Sequence, residues 1–374
     1  MSAPDPIVQV VRATRVAVAL LTVVLSAGCS GTPVDTPPDV GAAPGVSSTS
    51  TAPDPPSGPP ESRPTTWVHQ LPAGEPPRLG YVLGHTLYEA DGTTTHLPRD
   101  RGITSITPLG DGWLATDDRT FEGTKGVFRI GPDGRMLGED TTVAGDPIVS
   151  ADGTTISWLT FTPPESGLTR PMVVHRADTA TGSVETFALP AQPRQLPRLA
   201  GVIGTDLYLV DGWEGEITWV IDPVTASRHL PEVGAAVAVS ERAGLVAGVT
   251  GLADNPPGIL LDTATGKALW QRPHTRPVAF SPSGRRLLAT SRHSLVVLDS
   301  RTGRVERRLG PATGRDRWWL GDYAWEDDLH LLVGARRGEM MAVLRVHVRS
   351  GRWERVVEPS PSGGTSEVAF ETRH

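Results

Sequence analysis

A tight-turn signal returns seven times along the chain, at Gly92, Gly134, Gly182, Ala226, Gly266, Gly303 and Gly351, at intervals of 37 to 48 residues. Self-similarity at that period restricts the chain to arrays in which each unit is one supersecondary element that buries its apolar face against its neighbours. The unit is clearest over Pro277 to Arg308. Val278-Ala279-Phe280 leads through Ser281-Pro282-Ser283-Gly284 into Arg286-Leu287-Leu288-Ala289-Thr290; then come Leu295-Val296-Val297-Leu298-Asp299, a turn at Thr302-Gly303, and Arg304-Val305-Glu306-Arg307-Arg308. These are four short strands joined by tight turns, with glycine supplying the positive φ such turns need. An aspartate stands four residues before the turn glycine at Asp178, Asp262 and Asp299, and Asp222 holds the same place before Ala226. A carboxylate there can accept hydrogen bonds from the turn's own amides.

Seven such units predict an all-β fold, a seven-bladed β-propeller with four-stranded blades whose apolar faces pack blade on blade. The first unit, Gly80 to Leu97, has three strands and lacks an innermost one. Ser366-Glu367-Val368-Ala369-Phe370 looks like Val278-Ala279-Phe280 and is expected to fill that gap, closing the first blade with the C-terminal strand and removing exposed edges. Over about residues 67 to 374 the repeat resembles WD-repeat-like and YVTN-type bacterial propellers, most closely at Phe280 to Gly284 and Asp299 to Gly303. It lacks the Gly-His and Trp-Asp pairs of strict WD repeats. Asp262 to Trp270 resembles the tryptophan-docking repeat of pyrroloquinoline-quinone-type propellers, but no equivalent tryptophan follows Gly182 or Gly303. Trp270 is therefore expected to pack between blades, and no cofactor is expected.

The N-terminus has a different character. Arg12 and Arg15 precede an apolar run from Val16 to Leu25, and small residues follow, the order of an export signal. A ten-residue run is too short to span a bilayer as a helix. Leu25-Ser26-Ala27-Gly28-Cys29 resembles the lipobox of bacterial lipoproteins, in which the peptide is cut before the cysteine and its sulfur receives a diacylglyceryl group. Cys29 is the one cysteine of the 374-residue chain, so it has no disulfide partner within it. Residues 30–66 hold ten prolines among Ser, Thr, Gly and Ala, too little apolar surface to offset the entropy of ordering. The expected organisation is a lipoprotein signal peptide over 1–28, a lipidated Cys29 with a tether over 29–66, and a propeller over 67–374. The protein is accordingly expected at the cell membrane, lipid-anchored on the extracytoplasmic side, as a monomer.

The chain carries 35 basic and 42 acidic residues, a formal net charge of -7, which argues against nucleic acid as a partner. Chemistry is hard to find. There is no Gly-x-Ser-x-Gly elbow for an activated serine, and the ten histidines are scattered singly without zinc-ligand spacing. Gly266-Lys267 lacks the upstream glycine and the following hydroxyl of a phosphate-binding loop. No catalytic or metal-binding residue is expected.

The resemblance to propellers implies that ligands and partners meet the face built from second-to-third-strand loops and blade-to-blade connections. Its candidate contact residues are Asp117, Arg119, Trp213, Glu214, Arg317, Arg336 and Arg337. Trp213, an aromatic among charges, has the character of an interface anchor, although an indole there can equally cover a blade edge. Trp318 and Trp319 enter a strand, and at least one is expected in the core. The expected function is a non-catalytic scaffold that binds a cell-envelope protein or a cell-wall ligand. Two alternatives stand beside it: a lactonase-like or quinone-dependent enzyme with its site in the central channel, and a sensory input module for a membrane partner.

Overall fold

The computed structural model describes residues 68–117, 125–143, 145–161, 172–189, 198–211, 217–222, 227–251, 256–291, 294–311, 318–362 and 368–372. All of them belong to the unit Pro56–His374. Among them the helical content is one 3-10 turn, Val68–Gln70, and the rest of the regular structure is antiparallel strand. The strands form seven four-stranded blades in the predicted order.

Blade 1 combines Ala369–Phe370 with Tyr81–Leu83, Thr86–Tyr88 and Thr94–His96. Blade 2 runs from Ile103–Leu109 to Met136–Val143, and blade 3 from Ile148–Val149 to Val184–Ala188; a single pair, Val143 with Thr160, joins these two into one eight-stranded sheet. Blades 4, 5, 6 and 7 begin at Arg198–Ile203, Ala235–Ser240, Thr275–Phe280 and Trp319–Trp325, and end at Ser227–His229, Lys267–Arg272, Val305–Pro311 and Arg352–Pro361.

Burial follows position within the blade. Second and third strands are sandwiched between two neighbouring blades, so both of their faces must be apolar, and Leu245–Val249 is buried at every position. Fourth strands form the rim; Val184–Ala188 is exposed along most of its length. Seven separate apolar clusters lie between consecutive blades, one of them joining Leu332, Met341 and Val343 of blade 7 to Tyr81, Leu83 and Phe370 of blade 1. The array is thus a closed ring, and each fully buried leucine or valine in it contributes roughly 1.5–3 kcal/mol.

The turns between third and fourth strands have the geometry their sequences demand. Gly182, Gly266 and Gly303 sit at φ of 70°, 67° and 66°. Asp178 Oδ1 accepts from the backbone N and hydroxyl of Thr181 at 2.7 and 2.8 Å. Asp262 does the same with Thr265, and Asp299 with Thr302. Blade 7 substitutes a histidine: His347 Nδ1 accepts from Ser350 N at 3.1 Å.

Both ends of the described chain are tied to the ring. Ala369 pairs with Val82 and Phe370 with Tyr81. Glu371 N donates to Gly80 O at 2.8 Å, Thr372 N to Ile106 O at 3.0 Å, and Val368 N to Asp322 Oδ2 at 3.1 Å, which stitches five residues to blades 1, 2 and 7. At the other end, Pro72 and Gly74 exchange backbone hydrogen bonds with Arg355 on the outer strand of blade 7. Arg345 donates to the carbonyls of Glu75 and Pro76, and is itself held by Glu326, whose side chain is fully buried.

Candidate functional site

The innermost strands of five blades carry a bulge at the same place. The register skips Thr104, Ala200, Val237, Val278 and Asp322 in blades 2, 4, 5, 6 and 7. A bulge leaves one residue unpaired and re-aims its side chain. All five residues line a central cavity of about 370 Å³. Asp322 adopts φ of 50°, a left-handed conformation that aspartate tolerates better than most side chains.

The cavity has two kinds of wall. Val237, Val239, Val278, Phe280, Trp325 and Phe370 give it an apolar arc; Thr104, Ser105, Asp146, Asp322, Tyr323 and Glu371 supply polar atoms. Ser105 Oγ lies 2.7 Å from Thr116 Oγ1, which donates to Asp146 Oδ1 at 2.8 Å. Lys125 Nζ grips both oxygens of that carboxylate at 2.7 and 2.9 Å. Tyr323 donates its hydroxyl to Leu320 O at 2.8 Å, and burial, helped by the charge of Asp322, pushes its phenol well above the usual tyrosine range. Sequence reasoning did not single out Thr104, Ser105, Asp146 or Asp322.

A second cavity, of about 390 Å³, lies between blades 1 and 2 and is bordered by Glu89, Asp91, Asp111 and Glu371. Burial, with Asp91 and Glu371 nearby, raises the Glu89 carboxyl above its ordinary value. Among the described residues no group of three His, Cys, Asp or Glu side chains is placed to hold a metal ion. No described helix is long and apolar enough to cross a membrane.

The expected contact residues divide. Arg336 and Arg337 end the second strand of blade 7 on the expected face; Arg337 is exposed, and Arg336 is half-buried and donates from Nε to Gly338 O at 3.0 Å. Beside them stand two exposed apolar side chains not named among the candidates: Trp319, 48% exposed and paired in register with Arg336, and Met340, 36% exposed and paired with Arg337. Trp318 is buried at 5%, as one of the two adjacent tryptophans should be.

Asp117 does not belong to that exposed surface. Its side chain is 0% exposed, accepts from Arg101 Nη1 at 3.0 Å and from Gly126 N at 3.1 Å, and so fastens the blade 1-to-2 connection. Arg101 also lies over the Phe128 ring at 5.3 Å, which carries the connection inward. Arg119, Trp213, Glu214, Arg317 and Cys29 lie outside the described residues.

Strand order, inner bulges and ring closure define a seven-bladed propeller of four-stranded antiparallel blades, closed by its C-terminal strand. Similar solved structures include the β-propeller domain of Myceliophteria thermophila Cps50 (Swd1), with 12% identity, a TM-score of 0.48, and 73% of this chain and 90% of that one covered. An oligogalacturonate lyase in complex with manganese matches at 13% identity and a TM-score of 0.48, with 70% and 82% covered. TolB from Acinetobacter baumannii matches at 12% identity and a TM-score of 0.41, with 78% and 65% covered. No protein-family profile and no curated protein matches the sequence.

Proposed function

We propose that this protein is a lipid-anchored extracytoplasmic lipoprotein whose propeller binds another component of the cell envelope without catalysing a reaction. The observation that carries the anchor is the run from Arg12 through the apolar Val16 to Leu25 into Leu25-Ser26-Ala27-Gly28-Cys29. Acyl chains on Cys29 contribute roughly 0.8 kcal/mol per buried methylene, so two or more of them hold a protein on a membrane. The binding role is supported by the face on which Trp319 and Met340 stay exposed beside Arg336 and Arg337. Aromatic and arginine side chains grouped at the surface are the commonest anchors of protein contacts.

Two measurements test the reading. Cells fed an alkyne-tagged fatty acid should label the wild-type protein and leave Cys29→Ser unlabelled and released from the membrane fraction. A photo-crosslinking residue at position 319 should trap a discrete envelope partner, and one on the buried strand Leu295–Leu298 should trap none. An unlabelled wild-type protein removes the anchor; equal crosslinking at both positions removes the contact face.

A further inference from the structure

We propose that the central channel binds an uncharged, largely apolar small molecule. Two observations independent of the lipid anchor and of the partner face carry this: the side chains that the inner bulges turn inward, and the engagement of the wall's polar groups within the protein.

Bulges in three consecutive blades, 4 to 6, place Ala200, Val237 and Val278 on the cavity wall. Val237 and Val278 are only partly buried, so part of each side chain faces the channel instead of a neighbouring blade. Phe280, Trp325 and Phe370 continue the same apolar surface. Water against a concave wall of this kind finds few hydrogen-bond partners, and its release favours a ligand of matching character.

The polar arc offers a charged ligand little. Asp146 already accepts from Lys125 and from Thr116, Asp322 Oδ2 from Val368 N at 3.1 Å, and Glu371 Oε2 from Gly80 N at 2.7 Å. Because Thr116 gives its one hydrogen to Asp146, it can only accept from Ser105 Oγ at 2.7 Å and Thr104 Oγ1 at 3.1 Å, whose hydrogens are thereby committed. Tyr323 donates to Leu320 O at 2.8 Å and Trp325 Nε1 to Ala279 O at 3.3 Å. The described lining holds no lysine, arginine or histidine. A cation would therefore compete with Lys125 and with backbone amides for its carboxylates, and an anion would find no basic side chain. Either would give up its hydration on entry without a new partner. Thr372 is the one lining hydroxyl outside these bonds, enough for a single polar group on the ligand.

Isothermal titration of the purified full chain at neutral pH with three probes of one shape tests this: tryptophol, tryptamine and indoleacetate, which carry the same ring on an alcohol, an ammonium and a carboxylate. Tryptophol should bind one-to-one, at least about tenfold more tightly than either charged probe, a difference of about 1.4 kcal/mol. Val278→Lys puts a charge into the apolar arc and should lower tryptophol affinity at least about tenfold. Val237→Lys serves the same purpose if the first variant does not fold. Leu137→Ser, which removes a leucine 47% exposed on the outer strand of blade 2, should leave the affinity unchanged and so separates the channel from the rim. Equal affinity for the three probes, tighter binding of a charged one, no binding of tryptophol, unchanged binding by a folded lysine variant, or loss of binding in Leu137→Ser overturns the proposal.

Discussion

Trp270 couples two blades through one side chain. Its Nε1 donates to Ser300 O at 2.6 Å, and its ring packs where a Cβ on Gly303 would lie only 2.8 Å away. Trp270→Ala should cost about 2–3 kcal/mol in urea denaturation, below the range of about 3–5 kcal/mol for deeply buried aromatics because the indole is only partly buried. An unchanged midpoint would show that this docking contributes nothing. The turn aspartates act by charge. Hydrogen bonds from Thr302 hold the Asp299 carboxyl below its ordinary value of 3.8, and those from Thr181 and Thr265 do the same for Asp178 and Asp262. Because these groups titrate lower in the folded chain than in the unfolded one, their stabilisation is complete above the unfolded value and is lost as pH falls through the folded values. Denaturation midpoints should therefore drop on acidification below about pH 4, and Asp299→Asn should flatten part of that drop. These turns were legible in the sequence because glycine and aspartate act within four residues of each other. Asp117 was not, because its burial depends on Arg101, 16 residues away, folding onto it.

At the scale of elements, the inner strand of blade 1 is supplied from the other end of the described chain. Removing residues 368–374 takes away Ala369, Phe370 and the bonds to Gly80, Ile106 and Asp322. The loss should exceed the roughly 3 kcal/mol expected for Phe370→Ala alone and should leave a chain that melts early and aggregates through the opened edge, seen by circular dichroism and size exclusion. A truncated chain with wild-type melting would contradict the latch. This strand could be anticipated from its likeness to Val278-Ala279-Phe280. The segment from Val68 to Leu79 could not, since its docking is written in Arg345 and Arg355, whose donors reach its backbone carbonyls from far along the chain. The channel residues escaped for another reason. A bulge shifts the alternation by one residue without altering composition, so nothing in Ile103-Thr104-Ser105 or Gly321-Asp322-Tyr323 marks the middle residue as the one that lines the channel.

The whole molecule is acidic, with a net charge of -7. At physiological salt, where surface fields decay over about 8 Å, the purified protein should pass unretained through a heparin column. Retention would reveal a cationic surface strong enough to override the overall balance. The ring architecture was legible because repetition at a fixed spacing is a property of the entire chain, visible even where single strands are ambiguous. What the ring does was not, since side chains such as Trp319 and Met340 look ordinary in their unit and their exposure beside Arg336 and Arg337 follows only from strand register. The position of the closing strand also sets an order of events. Since residues 368–372 complete a blade whose other strands begin at Tyr81, the circle stays open until they have been synthesised. A product interrupted before that point would stay unfinished and open to proteolysis, so assembly itself would check that translation had reached those residues.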